Sequence, residues 1–178
     1  MEELYDLVNE NNKLLGTTKA KSLVHKDGDW HRAVHVWVVN SQKQILLQKR
    51  SATKELSPNL WDLSMGGHIS AGEDPVTAAL RELQEELGMQ VNREQLEYLF
   101  LSKEETILYN GIERLFHYIY LVRTNVALSQ FRLQSSEVAE VKYSTVDDFE
   151  KSIKENKDQW MAHWEEYSRV IEILRKDL

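Results

Sequence analysis

The segment that most constrains this chain runs from Gly67 to Met89, GHISAGEDPVTAALRELQEELGM. Pro75 stands where a first helical turn tolerates a missing N–H, no later Pro interrupts the run to Leu87, and Gly88 supplies a stop. Residues 74–87 are therefore predicted to form one helix. At about 100° per residue, Val76, Leu80, Leu83 and Leu87 make one stripe, while Glu82, Glu85 and Glu86 fall together on another. Like charges three and four residues apart destabilise a helix by a few tenths of a kcal/mol per pair, roughly. A hard divalent cation offsets that repulsion, because Mg²⁺ takes oxygen ligands in an octahedron and keeps exchangeable waters. Glu73 offers a fourth carboxylate just before the helix, and Arg81 can hold a glutamate through a bidentate pair. Gly66, Gly67 and Gly72 let the backbone turn where side chains would block it.

A glutamate pair beside an arginine is by itself an ordinary solvated helix face. The whole pattern is not. It resembles the Nudix box: Gly, five residues, Glu, seven residues, Arg-Glu, an aliphatic, any residue, Glu-Glu, any residue, Gly, an aliphatic. Gly67, Glu73, Arg81, Glu82, Leu83, Glu85, Glu86, Gly88 and Met89 fill those places without a departure. The resemblance implies a Mg²⁺-dependent hydrolase, with Mn²⁺ as a substitute, that cuts a diphosphate linked to a further group X. It also implies an α+β fold of the α/β/α sandwich type, a mixed sheet between helices.

The 178 residues, 42% of them hydrophobic, suit a single domain spanning 1–178 that buries roughly 70% of its unfolded surface. The acidic start MEELYDLV lacks the basic region and apolar core of a signal peptide, and no run of about 18 apolar residues follows. With no Cys, the chain has no disulfide framework, thiolate site or cysteine nucleophile. A cytoplasmic location is the expectation. A net charge of −7 argues against wrapping a nucleic acid polymer, and nothing marks a membrane partner. Small phosphorylated ligands need only a local cluster of cations. A homodimer stays open.

Residues 1–18 read as a hairpin addition, Leu4 to Val8 and Leu14 to Thr18 around a polar Asn-Glu-Asn-Asn turn. Ala20 to His25 suits a short helix, and Val34 to Val39 is β-branched enough for a central strand. A strand over Ile45 to Gln48 runs into Lys49-Arg50-Ser51 and Lys54, either a solvated tip or a phosphate clamp; the clamp is the favoured reading. Trp61 reads as core near the site.

Residues 4–90 carry a second, narrower resemblance, to type I isopentenyl-diphosphate isomerase, itself a Nudix-fold enzyme. LYDLVNENNKLLG, His25, Trp30-His31, the Val34–Asn40 strand, ILLQKRSATK and Trp61 with Gly67-His68 carry it. By that resemblance His25, His31 and His68, with Glu113, make a second metal site, and Lys21, Arg50 and Lys54 hold the substrate diphosphate; Arg81 joins them as a candidate. The isomerase has a Cys acid/base residue immediately before its Gly-His, where this chain has Gly66, and a carboxylate where this chain has Leu115. The isomerase helix also lacks most of the Nudix glutamates that this helix retains. Hydrolysis is thus favoured over isomerisation.

Beyond the box, Leu96 to Tyr109 and Glu113 to Arg123 read as strands joined at Asn110-Gly111. SEVAEVKY, residues 136–143, reads as another strand. Thr145 with Asp148 caps a helix to about Asn156, and a last helix is predicted from Asp158 to Lys176, with Trp160 and Trp164 on one face; residues 145–178 are thus the C-terminal helices. The proposed metal set is Glu82, Glu85, Glu86, Glu73 and the backbone near Gly66. The base that takes a proton from the attacking water is one of Glu82, Glu85, Glu137 and Glu140, and the sequence does not choose among them. Two other activities compete: isomerisation of isopentenyl diphosphate, and catalytically silent binding of a diphosphate. The identity of X is not readable.

Overall fold

The computed structural model describes residues 2–54, 56–108 and 111–176. In chain order these are the strands β1 (Leu4–Val8) and β2 (Leu14–Ala20), helix α1 (Lys21–Asp27), strands β3 (Trp30–Val39), β4 (Gln44–Arg50), β5 (Trp61–Asp62) and β6 (Met65–His68), and helix α2 (Pro75–Leu87). Strands β7 (Glu97–Leu108), β8 (Gly111–Arg123) and β9 (Val138–Thr145) follow, then helices α3 (Val146–Glu155) and α4 (Trp164–Lys176).

β3 organises the sheet. It runs parallel to β8 from Trp30↔Arg114 to Val39↔Arg123. Its other edge is shared between β6, antiparallel over Ala33 to Val36, and β4, which meets it at Val39↔Ile45. β4 also pairs with β5 and β9, and β7 closes the far side against β8. The resulting seven-stranded sheet is mixed. Because successive side chains of a strand point to opposite faces, β3 feeds two cores at once, which is why it reads as a continuous apolar run. Val34, Val36 and Val38 pack with Leu83 and Leu87 of α2; Trp37 and Val39 pack with Phe149 of α3 and Tyr167 and Val170 of α4. The sheet is therefore sandwiched between α2 on one face and α3 with α4 on the other, the mixed α+β arrangement that the box implied.

The boundaries of α2 follow from local chemistry. The Asp74 carboxylate accepts from the Val76 and Thr77 N–H groups, Pro75 occupies the first turn, and Gly88 ends the helix in the left-handed region at φ 68°. At α3, Thr145 Oγ1 accepts from Asp148 N, as its spacing predicts.

Other expectations require correction. β3 begins at Trp30 rather than Val34, since parallel pairing with β8 carries the extended backbone through His31 and Arg32. β9 spans 138–145, two residues later than predicted, with Val138 opposite Arg50. α1 covers 21–27. The last helix starts at Trp164, not Asp158. Lys157–Gln159 makes only a short 3-10 turn; Trp160 then forms a bridge with Trp61 and Met161 N donates to Trp61 O, so the chain runs alongside β5 before α4 begins. The apolar period persists there because Trp160 is buried against Phe149 and Tyr167. Trp160 and Trp164 therefore do not share a helix face. The Asn110-Gly111 turn falls partly outside the described residues.

Candidate active site

Glu82 points from α2 at the backbone of β6. A Cβ on Gly67 would overlap the Glu82 Cδ and lie 2.7 Å from its Oε1, so the approach requires a glycine. Arg81 gathers the surrounding carboxylates. Its Nε and Nη2 donate to the two oxygens of Glu73 at 3.0 and 2.9 Å, Nη1 donates to Glu82 Oε1 at 2.8 Å and Glu85 Oε2 at 3.2 Å, and Nη2 also reaches His68 O at 3.1 Å. Those contacts raise the Arg81 pKa, the Glu73 hydrogen bond first among them. The guanidinium is thus directed at glutamates, and its part is to orient them.

Glu86 is the buried member of the set, with 5% of its surface exposed and its Oε2 without a hydrogen-bond partner. Burial first, and then the charge of Glu82, push its carboxyl up to about 8. Burial likewise raises Glu82 to about 7, although Arg81 pulls it down. Two carboxyls held this far out of water, one with an orphaned oxygen, fit a cation that the chain's own side chains do not supply.

Lys54, Glu137 and Arg50 lie within electrostatic reach of Glu86. Lys54 Nζ pairs with Glu137 Oε2. Arg50 donates to the carbonyls of Ser57 and Leu56 and lies 3.7 Å from Asp62. Glu140, by contrast, is exposed on β9 opposite Lys49. Of the two late glutamates, Glu137 is the one the fold brings to the helix. Ser51 N donates to Glu137 O, and Gln134 N to Glu86 O, so this loop is docked onto both β4 and α2.

His25, His31 and His68 converge, with one ligand atom of each within 4.8 Å of the others. His31 Nδ1 lies 3.1 Å from Asp29 O, which assigns the proton to Nδ1 and leaves Nε2 bare; Nε2 of His31 and of His68 is buried and without a partner. Burial lowers the His31 pKa to about 4 and holds that of His68 well below the ordinary imidazole value, so both rings are neutral near pH 7. Glu113 Oε1 stands 3.8 Å from His25 Nε2, and burial raises its carboxyl. Lys21, at the start of α1, lies 3.9 Å from Glu3 and within reach of Glu113, as does Arg50. Gly66 sits in β6 opposite His35, where a Cβ would lie 3.1 Å from the His35 ring. Leu115, paired with His31 across the β3–β8 ladder, is buried and apolar.

Tyr5 was not marked by any spacing, yet it is fully buried and stacks on His31 and His68, with ring centroids 5.3 and 4.9 Å away. Its hairpin is anchored by Ala71 N donating to Leu4 O and by Arg32 donating to Asn12. The β1–β2 hairpin thus covers the histidines.

A family model described as the NUDIX domain matches residues 29–164. This chain belongs to the Nudix family. It is 36% identical over 182 residues to Nudix hydrolase 3 of Arabidopsis thaliana, an alignment covering 98% of this chain but 24% of that longer protein. It is 32% identical over 158 residues to an isopentenyl-diphosphate Delta-isomerase of Pectobacterium atrosepticum, covering 88% of this chain and 84% of that one. Among solved structures, DR0079 of Deinococcus radiodurans superposes with a TM-score of 0.71 at 23% identity, over 98% of both chains, a likeness of fold. No helix among the described residues is long and apolar enough to cross a membrane.

Proposed function

We propose that this Nudix protein is a Mg²⁺-dependent diphosphohydrolase acting on a small X-linked diphosphate, such as a nucleoside diphosphate derivative. The buried Glu86, with an oxygen that no protein donor satisfies, carries the reading. Glu82, Glu85 and Glu86, with Glu73 and the backbone at Gly66, would hold the metal; Mn²⁺ would substitute. Bound there, the ion would offset the diphosphate charge and acidify a water. Arg81 keeps Glu73, Glu82 and Glu85 in one orientation. Lys21, Arg50 and Lys54 supply the positive charge for the distal phosphate. Glu137, paired with Lys54 until substrate draws that cation away, is the favoured proton acceptor, with Glu82, Glu85 and Glu140 as its competitors.

The convergent His25, His31 and His68 beside Glu113 support a second metal there, as in the isomerase resemblance. Isomerisation itself is disfavoured, because Gly66 has no side chain to donate a proton and Leu115 replaces a carboxylate. A panel of diphosphates incubated with Mg²⁺, with phosphate release followed, tests the hydrolase. Glu85→Gln and Glu86→Gln should abolish turnover of whatever substrate the parent cleaves. Retention of full activity in both would refute the metal assignment, and affinity without phosphate release would favour the silent binding module.

A further inference from the structure

Nothing in the hydrolytic scheme uses the buried histidines on the α4 side of the sheet. His35 of β3 and His117 of β8 are 6% and 2% exposed, their rings are stacked with centroids 4.0 Å apart, and Glu166 of α4, 3% exposed, faces them. One ligand atom from each of the three lies within 4.8 Å of the others. His35 Nδ1 is 2.8 Å from Glu166 Oε2, and Trp37 Nε1 donates to Glu166 Oε1 at 2.8 Å. His117 Nδ1 has no hydrogen-bond partner; Glu104 Oε2 is 3.7 Å away. A buried imidazole nitrogen left bare beside a buried carboxylate and a second imidazole costs stability unless something fills the space between them.

We propose that His35, His117 and Glu166 form a buried transition-metal site, separate from the His25–His31–His68 group, that fastens α4 to β3 and β8. Two imidazoles and one carboxylate are a donor set suited to zinc or a similar borderline ion rather than to Mg²⁺. Bonds of about 2.0–2.2 Å in a tetrahedron put ligand atoms roughly 3.4 Å apart, so side-chain shifts of about an ångström bring the three into range. An ion bound there takes the place of the proton shared by His35 Nδ1 and Glu166 Oε2, so binding releases a proton. Around the three, the carboxylates of Asp62 and Glu104 are balanced by His163 and Arg50, so Glu166 itself supplies the negative charge that faces the ion. Trp37 Nε1 is placed to orient the Glu166 carboxylate from behind. The side chain of Glu104, 28% exposed, lies 2.9 Å from His163 Nδ1 and 3.7 Å from His117 Nδ1, so a partly solvated carboxylate borders the group.

Chelator-stripped protein, kept in excess Mg²⁺ so that the α2 carboxylates are engaged, is titrated with Co²⁺; bound cobalt is counted by elemental analysis and followed by its visible absorption. The parent is expected to retain one equivalent more than Glu166→Gln or His117→Gln, and Co²⁺ should raise the parent's Tm more than theirs. Glu166→Gln preserves size and an acceptor for Trp37, and circular dichroism identifies which variants fold. Equal cobalt content in the parent and a folded variant overturns the proposal. So does a His68→Ala chain that binds no cobalt, since that chain retains all three proposed ligands.

Discussion

Gly67 and Glu82 approach so closely that a Cβ at position 67 would overlap the Glu82 Cδ, so any side chain there must push the carboxylate aside. The glycine opening the box and the glutamate fifteen residues later are therefore one structural unit. The strand sets the position of the carboxylate. Gly67→Ala should displace Glu82, lowering kcat/KM by at least about 10-fold and stability by about 1–3 kcal/mol through overpacking. Kinetics against a cleaved diphosphate, with a parallel urea titration, would show both; unchanged kinetics would mean that the Glu82 position is immaterial.

Arg81 spans three carboxylates with a planar fork, which an ammonium cannot imitate. Arg81→Lys should keep the charge but release Glu73 or Glu82, weakening Mg²⁺ activation by roughly 10–100-fold, the usual cost of losing an orienting partner. The Mg²⁺ concentration giving half-maximal rate measures it.

Glu86 makes metal-free stability pH-dependent. Its folded pKa of about 8 lies above the ordinary 4.5, so the folded state binds the extra proton between those values and stability falls as pH rises from 4.5 through 8. Glu82, raised to about 7, acts in the same direction. Without Mg²⁺, Glu86→Gln should therefore be more stable than the parent at pH 8, by about 1–3 kcal/mol, with the gap closing below pH 4.5. Adding Mg²⁺ should stabilise the parent and not the variant. Urea midpoints at several pH values decide it.

The His163–Glu104 pair, 2.9 Å apart, titrates at both ends of the pH range. Burial pulls His163 down, but the hydrogen bond to Glu104 and the charge of Asp62 outweigh it and raise the ring to about 9. Burial pushes Glu104 up, yet His163 holds it net at about 2. The contribution of His163 is complete below 6.5 and lost as pH rises through 9; that of Glu104 is complete above 4.5 and lost as pH falls through 2. In metal-free protein, Glu104→Gln should cost about 2 kcal/mol at pH 5.5 and much less above pH 9.5. A cost independent of pH would show that the pair is not ionised.

The helix α2 is legible in the chain because every feature of it is local. Asp74, Pro75 and Gly88 set its ends through backbone groups within a turn, and the 100° step alone places Glu82, Glu85 and Glu86 together. What spacing could not convey was the unequal burial of those three glutamates. Glu85 is exposed while Glu86 is covered, because the 131–137 loop docks on the end of α2, with Arg132 N donating to Leu87 O and Gln134 N to Glu86 O. The same limit separated Glu137 from Glu140: both are strand-region glutamates, and only the pairing of β9 with β4 sends one to Lys54 and the other to solvent.

Sequence alone thus determined the family, the helix that carries the acidic residues and the glycines that admit them, because hydrogen bonds and sterics acting over a few residues leave little freedom there. The tertiary structure decided the rest. It delayed the start of the last helix to Trp164 by pairing Trp160 with Trp61, stacked Tyr5 over His31 and His68, and assembled His35, His117 and Glu166 from two strands and a helix. Those meetings depend on sheet register and on how α4 packs across it, and contacts between residues 131 positions apart, such as His35 with Glu166, leave no period in the chain to read.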